Sequence, residues 1–384
     1  MKRPNSIDFW LLLSALILAA LGIVMVYSSS MYIAMEKLGN GSYYFQKQML
    51  YLLISLASLI VCTRLNYRGY ARIAKALLAF GFVLLVILLI LKGVHFLRTG
   101  KLEVYRWFRF GFMSFQPSEL MKLFLIIYLS AEIAVMGDRI RDFRKGFARI
   151  IGIVALTFTL IFLEPSLSMA ALSLMAGFYL LFVGRAKLAH ILLCFVPALP
   201  GILFLALKKP YMLDRIMDFL NRDSSSWSQA AQSIIGIGTG GLRGVGLGRS
   251  TQKFNFLPER HTDFIFSILG EELGIVGTTL VLGLTLLFVM RGFKTARDAP
   301  DMFGFLLASG LSFAFGVQVF VNIGVATGLL PTTGVTLPFI SYGGSSLLLS
   351  FVSTGILLNI SKHSSMERTL SRELGLRIHR RFPS

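Results

Sequence analysis

Apolar residues run along this chain in long unbroken stretches, without the polar face that marks an amphipathic surface helix. The stretches fall near residues 9–28, 47–63, 74–93, 118–136, 149–163, 167–184, 188–207, 264–290, 302–326 and 337–360. A helix needs about 20 such residues to cross the hydrocarbon core of a bilayer. The pattern therefore predicts an all-α, polytopic membrane protein with about ten transmembrane helices. The first stretch follows Lys2 and Arg3 as a signal-peptide core would, but it is long and no small-x-small cleavage site follows it. It reads as the first span.

The segment Ile150–Val183 is too long for one span and too apolar for a loop. Glu164-Pro165 stands at its centre. Proline disfavours helix at the residue before it, and a lone carboxylate in lipid is expensive. A hairpin with Glu164 at the outer surface answers both, and leaves Arg149 and Arg185 on one side.

Composition confirms the class and charge sets the orientation. Of 384 residues, 55% are hydrophobic and 15% charged, which excludes a soluble multidomain chain. With both termini cytoplasmic, the short inner loops carry Arg64, Arg68 and Arg72; Arg139, Arg141, Arg144 and Lys145; Arg185 and Lys187; Arg291, Lys294 and Arg297. That is the positive-inside bias. The net charge of +19 belongs to a membrane surface, and no nucleic-acid partner is expected. The chain divides into one membrane domain, 1–361, and a basic cytoplasmic tail, 362–384, expected to be poorly ordered or to lie on the anionic inner leaflet.

The outer loops are basic as well. Loop 94–116 carries Arg98, Lys101, Arg106 and Arg109; the large loop 208–263, between the seventh and eighth spans, carries Lys208, Lys209, Arg215, Arg222, Arg243, Arg249, Lys253 and Arg260. Translocated loops tolerate some cations; alternatively these form an anion site, since guanidinium forks suit diphosphates. The end of that loop is the most concentrated chemistry in the chain. Lys253, Glu259, Arg260, His261 and Asp263 precede the span 264–290 directly, where a lipid-borne substrate would meet ionisable groups.

Other segments admit two readings each. Gly236–Gly248 (GIGTGGLRGVGLG) contains a dinucleotide-like glycine spacing without any βαβ context; close backbone approach in a tight external or re-entrant loop fits better, and its amides could face a phosphate. Glu119 and Lys122 follow Pro117 three residues apart, on one helical face, as a structural ion pair or as cavity lining. Glu271 and Glu272 point in different directions on a helix, so they are not a general acid/base pair; one of them reads as a buried hydrogen-bonded strut, ahead of a proton relay. Gly328–Gly334 and Pro338–Ser346 predict an irregular external loop entering a broken helix that lines a cavity, or a tight crossing of small residues. Cys62 and Cys194 fall inside spans, so no disulfide is expected. The five histidines do not cluster, so no tightly held structural metal is expected either.

FQPSELMK (115–122), GTGGLRGVGLGRSTQKFNFLPERHTDFIFSILGEELG (238–274) and GLLPTTGVTLPFISYGGSS (328–346) together resemble the SEDS family (shape, elongation, division and sporulation), the FtsW/RodA/SpoVE group. Gln232-Ser233, Gln252-Lys253 and LPFISYGGSS look more like the division-type branch; PERHTDF also occurs in the elongation-type branch, and Thr333 stands where a lysine is common in the former. The resemblance implies polymerisation of lipid II into peptidoglycan glycan strands, with inversion, at the outer face of the bacterial cytoplasmic membrane. It assigns Asp263 as the base, or as ligand of a loosely held divalent cation such as Mg or Mn. It implies that Arg106, Arg215, Arg243, Lys253 and Arg260 contact pyrophosphate and that Trp107 stacks on sugar or orders its loop. Glu119, Lys122, His261 and Ser341 complete the expected substrate-binding set. A class B penicillin-binding protein is the expected transpeptidase partner, within a division or elongation complex. A lipid II flippase and a pure scaffold are the rivals; a flippase needs no external carboxylate such as Asp263. One departure concerns Ser166, where the family usually has an acidic residue after the proline.

Overall fold

The computed structural model describes residues 7–99, 106–110, 113–164, 166–207, Leu213, Arg215, Met217, Phe219, 229–254, Leu257 and 259–373. Its helices are α1 (Phe9–Leu38), α2 (Tyr43–Arg64), α3 (Arg68–Thr99), α4 (Pro117–Met136), α5 (Ala148–Leu163), α6 (Leu167–Val183), α7 (Leu188–Leu207), α8 (Gln229–Gly240), α9 (Ile265–Arg297), α10 (Met302–Ala326) and α11 (Gly344–Glu373). Eight of the described helices are long and apolar enough to cross a membrane, and α6 and α7 add two shorter apolar ones. With α8 set aside, they follow the ten apolar stretches in order.

Several helices run past the apolar windows that reveal them, because hydropathy marks lipid contact and not where backbone hydrogen bonding ends. α1 continues to Leu38 and stops at Gly39 in the left-handed region (φ 66°). α3 extends to Thr99, and α11 continues through Lys362 to Glu373. Residues 337–343, expected at the start of the last span, are not helical. Loop 94–116 also holds a short antiparallel hairpin, β1 (Phe108–Phe110) with β2 (Met113–Phe115), in the register Phe108 opposite Phe115.

Caps and buried polar contacts fix one end of the bundle. The Asp8 side chain accepts from the Leu11 amide at 3.2 Å and receives Arg291 Nε at 3.0 Å, joining the start of α1 to the end of α9. Asp301 caps α10 through the Gly304 amide at 2.7 Å and also accepts from the Tyr67 hydroxyl at 2.5 Å. Asn359 on α11 receives the Tyr67 amide at 2.9 Å and donates to the Thr63 carbonyl at 2.8 Å, pinning the turn between α2 and α3. Cys62 and Cys194 are both free thiols.

α9 is a broken helix. Gly274 has φ 64° and ψ −160°, a conformation in practice reserved for glycine, so the ladder of helical hydrogen bonds fails there. The glycine-rich segment after α8 closes the gap. The Ile275 and Val276 amides donate to the Gly241 and Leu242 carbonyls at 2.9 and 3.3 Å, and the Val245 and Gly246 amides donate to the Glu271 and Glu272 carbonyls at 2.9 and 3.1 Å. A β-carbon at Gly244 or Gly274 would collide with the opposing backbone, which is why glycine occupies both sides of the crossing. Non-helical backbone at membrane depth survives only where protein satisfies it, and here residues 241–246 do so.

The two adjacent glutamates after Gly270 hold this clasp from the side. The Glu271 carboxylate accepts from the Thr251 amide at 2.8 Å and the Thr251 hydroxyl at 2.7 Å, and it also receives the Ser250 hydroxyl. Glu272 accepts from the Ser28 hydroxyl of α1 at 2.6 Å. Both are buried hydrogen-bonded struts, where the sequence suggested one, and both reach Ser250, whose amide donates to Glu272 Oε1 at 3.3 Å. Ser233 of α8 contacts the Ser267 hydroxyl and donates to the Ala326 carbonyl at 2.6 Å, so α8 is fastened to both α9 and α10.

Candidate active site

Asp263 sits at the end of the bundle opposite to Asp8, Asp301 and Asn359. α9 has 33 residues and is about 50 Å long at 1.5 Å per residue, well beyond the roughly 30 Å of hydrocarbon. Such a helix cannot lie wholly within the hydrocarbon, and Asp263 stands just before its first residue.

The turn that presents Asp263 is tight. Glu259 adopts a positive φ of 51°, unusual for a residue with a β-carbon. Its carbonyl accepts from the amides of Thr262 (3.1 Å), Asp263 (3.1 Å) and Phe264 (3.3 Å). The loop entering α11 holds this turn. The Ser341 hydroxyl donates to the Thr262 carbonyl at 2.6 Å and accepts from the Leu337 amide at 2.8 Å, and the Tyr342 amide donates to the His261 carbonyl at 2.9 Å. Asn322 of α10 donates to the carbonyls of Asp263 and Val335 at 2.8 and 2.7 Å. Ser341 is thus a buried strut behind the site.

Opposite this turn lies Gly334. A β-carbon there would stand 3.7 Å from Asp263 Oδ2 and 3.8 Å from an Arg106 guanidinium nitrogen. The carboxyl and the guanidinium therefore face one small space that glycine leaves open. Arg215 reaches the same loop, donating to the Thr332 carbonyl at 2.9 Å. Burial raises the Asp263 pKa to about 7; Glu259 adds to the rise, and Arg215 and Arg106 oppose it. A carboxyl that titrates near neutrality, beside cations, is suited to accept a proton in a reaction and release it afterwards. Trp107 follows Arg106 into the hairpin arm and is half-buried.

Glu119 and Lys122 lie below this cluster, near the start of α4. Glu119 accepts from the Ser345 hydroxyl at 2.6 Å, and Lys122 donates to Gln318 Oε1 at 2.5 Å. Gln318 passes the connection on, donating to the Thr336 carbonyl at 3.1 Å, two residues from Gly334. Both ionisable residues also line a cavity of about 50 Å³, room for a few water molecules. Each is thus bonded to a different helix, Glu119 to α11 and Lys122 to α10, while both line a cavity too small for a sugar.

The remaining expected site residues lie elsewhere. Lys253 is 4% exposed and points into the clasp, contacting the Gly248 carbonyl with Glu272 Oε1 at 3.6 Å; it is not at the Asp263 cluster. Arg243 is exposed on the clasp, at the level of Gly274, about 15 Å along α9 from Asp263. Arg260 is buried towards Tyr32 and Glu36 at the end of α1 and Tyr44 at the start of α2. His261 packs between Tyr44 (4.8 Å between ring centres) and Tyr342 (5.6 Å), and burial lowers its pKa to about 4, so it is neutral at physiological pH. Arg109 contributes backbone to β1, paired with Ser114; Lys101 lies outside the described residues. Sequence reasoning missed Gly334, Asn322, Gln318 and Tyr44. Asn322 and Gln318 are the polar exceptions in an apolar span, which was the available signal.

Comparison with known proteins matches this arrangement to one family. The model described as "Cell cycle protein", FtsW/RodA/SpoVE, matches residues 9–366. The chain belongs to that family. It is 39% identical over 365 residues to stage V sporulation protein E of Bacillus subtilis, covering 94% of this chain and 99% of that protein. It is 38% identical over 364 residues to a probable peptidoglycan glycosyltransferase FtsW of Geobacter metallireducens, covering 94% and 96%. Among solved structures, a chain from a peptidoglycan synthase complex that coordinates polymerization and crosslinking superposes with a TM-score of 0.75 at 28% identity, covering 94% and 98%. The rod shape determining protein RodA of Thermus thermophilus gives 0.68 at 27%, with the same coverage. Sporulation-type and division-type relatives thus stand at nearly equal identity, and membership of the family is common ground for both.

Proposed function

We propose that this multi-pass membrane protein is a peptidoglycan glycosyltransferase that polymerises lipid II at the outer face of the bacterial cytoplasmic membrane. The observation that carries the reading is the Asp263 carboxyl, titrating near neutrality and facing Arg106 across the open side of Gly334. Asp263 takes the proton from the 4-hydroxyl of the acceptor sugar. The freed oxygen attacks the anomeric carbon of the donor from the face opposite its diphosphate. The bond to the diphosphate breaks, and the leaving group departs with the electron pair. Arg106 and Arg215 stabilise the charge that accumulates on it. Inversion follows from the direction of attack.

The donor set fits a divalent cation shared with substrate. Mg²⁺ binds through one or two carboxylates together with substrate phosphates, and Glu259 is within electrostatic reach of Asp263. Such an ion would neutralise diphosphate charge at Asp263 and Glu259. Among the described residues no group of three or more His, Cys, Asp or Glu is placed to cage one.

A class B penicillin-binding protein in a division or elongation complex is the partner we assign; a solved relative sits in a synthase complex that joins polymerization to crosslinking. The test is polymerisation of lipid II by the purified chain in lipid, alone and with its transpeptidase. Formation of glycan strands that ceases in Asp263→Asn supports the reading. Strands formed equally by Asp263→Asn sink Asp263 as the base, whereas lipid II transport without any strand formation by the wild type sinks the transferase reading and favours a flippase.

A further inference from the structure

One buried acid outside the Asp263 cluster lacks the partners its chemistry demands. Glu164 follows α5 at the same end of the bundle as Asp263 and is 1% exposed. Among the described residues neither of its carboxyl oxygens has a hydrogen-bond partner. Buried polar groups are nearly always satisfied, so an exception needs an explanation.

The neighbour that explains it is Lys92 on the last turns of α3. Its ammonium donates to the carbonyl of Leu163, the residue before Glu164, at 2.8 Å. That bond uses one of three donors and fixes the ammonium beside the acid. Lys92 is half-buried and close enough to feel the charges of both Glu164 and Arg106. Arg106 is the guanidinium that faces Asp263, so Lys92 and Glu164 continue that cluster sideways along the outer ends of α3 and α5.

The charges in this row do not balance. Lys92, Arg106 and Arg215 are cations, while burial holds Glu164 at about 8. At neutral pH this carboxyl leaves the cations beside it under-compensated, which is the condition for receiving an anion. A neutral carboxyl also helps such an anion, because it donates a hydrogen bond where a carboxylate would repel. The surroundings choose the kind of anion. Ile90, Leu91 and Val94, around Lys92 on α3, are 58%, 45% and 41% exposed, an apolar surface along which a hydrocarbon tail can lie.

We propose that Lys92 and Glu164 form a phosphate subsite for the diphosphate headgroup of a polyprenyl lipid. Lys92 touches a phosphoryl oxygen and Glu164 donates its proton to the same group. The subsite rests on the glycosyl-transfer reading and adds the place where one of the two lipid substrates keeps its phosphates.

The test is binding of undecaprenyl diphosphate to the full chain in phosphatidylcholine nanodiscs, with thermal melting to confirm that each variant is folded. Lys92→Met and Glu164→Leu should each weaken binding about tenfold or more, as for loss of a hydrogen bond to a charged group. Glu164→Gln keeps a donor and should bind like wild type at pH 7. Wild type should lose affinity above about pH 8, as Glu164 ionises, and Glu164→Gln should lose less. Lys92 is the charged side chain facing Glu164 among the described residues. Wild-type binding by folded Lys92→Met and Glu164→Leu overturns the proposal. Equally tight binding of inorganic pyrophosphate, or of phosphatidylglycerol, overturns the assignment to a polyprenyl diphosphate. Polymerisation assays separate the two readings: a wild type that forms no glycan strands sinks the transferase reaction while leaving the binding results at Lys92 intact.

Discussion

Asn322 holds Asp263 in place: its side-chain amide nitrogen donates to the Asp263 carbonyl at 2.8 Å and, at 2.7 Å, to the carbonyl of Val335, next to Gly334. One side chain on α10 thus fixes the distance between the proposed base and the loop opposite. Asn322→Ala should lower the rate of glycan synthesis about 10–100-fold, since displacement by about 1 Å can cost two orders of magnitude. Lipid II binding should change less than the rate. Equal loss in both, measured on purified protein, would make Asn322 a general structural residue.

Gly334 should tolerate one carbon and no more. A β-carbon there meets Asp263 and Arg106 at ordinary contact distances of 3.7 and 3.8 Å. Gly334→Ala should therefore fold and retain much of its activity, whereas Gly334→Leu fills the space between base and cation and should lose nearly all of it. Comparable polymerisation by the two variants would show that substrate does not enter there.

Asp263 predicts two pH profiles of opposite sense. As a base it must be ionised, so glycan synthesis should rise with pH through about 7 and then level off. For stability the sign reverses. The folded-state pKa is raised above the unfolded value, so the unfolded state loses this proton first. The fold is penalised increasingly as pH rises from the ordinary carboxylate range to about 7. Asp263→Asn should abolish synthesis while melting no lower than wild type at pH 8. A variant that melts lower there has lost a structural contact instead of a strained base.

The clasp makes a prediction about folding alone. Gly274→Ala forces a side chain into a conformation that costs about 1–3 kcal/mol by itself, and it drives that side chain into the Gly244 and Leu242 backbone. Its melting temperature or membrane yield should fall sharply. Gly283→Ala, on the same helix with open space at its β-carbon, serves as the matched control and should be neutral.

Orientation can be read with thiol labelling. Arg98, exposed on the last turn of α3, belongs to the Asp263 end of the bundle, and exposed Arg141 to the other. In intact cells an impermeant reagent should modify Arg98→Cys and leave Arg141→Cys untouched. The reverse pattern would put the proposed active site in the cytoplasm.

Hydropathy made the helices legible because about 20 apolar residues in a row admit few other structures in water or lipid. The hairpin at Glu164 was legible from one proline and one acid. Which way a polar residue points was not. Lys253 and Arg106 look alike in the sequence, both basic and both in outer loops. Yet Lys253 folds back on Glu272, nine-tenths of the way out of solvent, while Arg106 faces Asp263. Only tertiary packing separates them. Gln318 and Asn322 were masked for the opposite reason: averaged into an apolar window, two amides barely change its hydropathy, although they connect Lys122 to the loop at Gly334 and hold Asp263. Glycine was the more readable signal, since the spacing over 236–248 announced a close crossing, but its target at Gly274 lay a further turn and loop away.

The clasp across Gly274 also dictates an order of assembly. Residues 241–246 leave the ribosome before α9 does, so the strand that will cover the break is in hand when the two half-helices enter the bilayer. The exposed amides of Ile275 and Val276 then find carbonyls from a segment already made. A permuted chain in which 229–253 followed α9 would contain every contact of the finished protein, yet it would have to insert a helix with an open gap. Such a chain would be expected to stall at insertion, a defect of chronology in a molecule whose final geometry is unchanged.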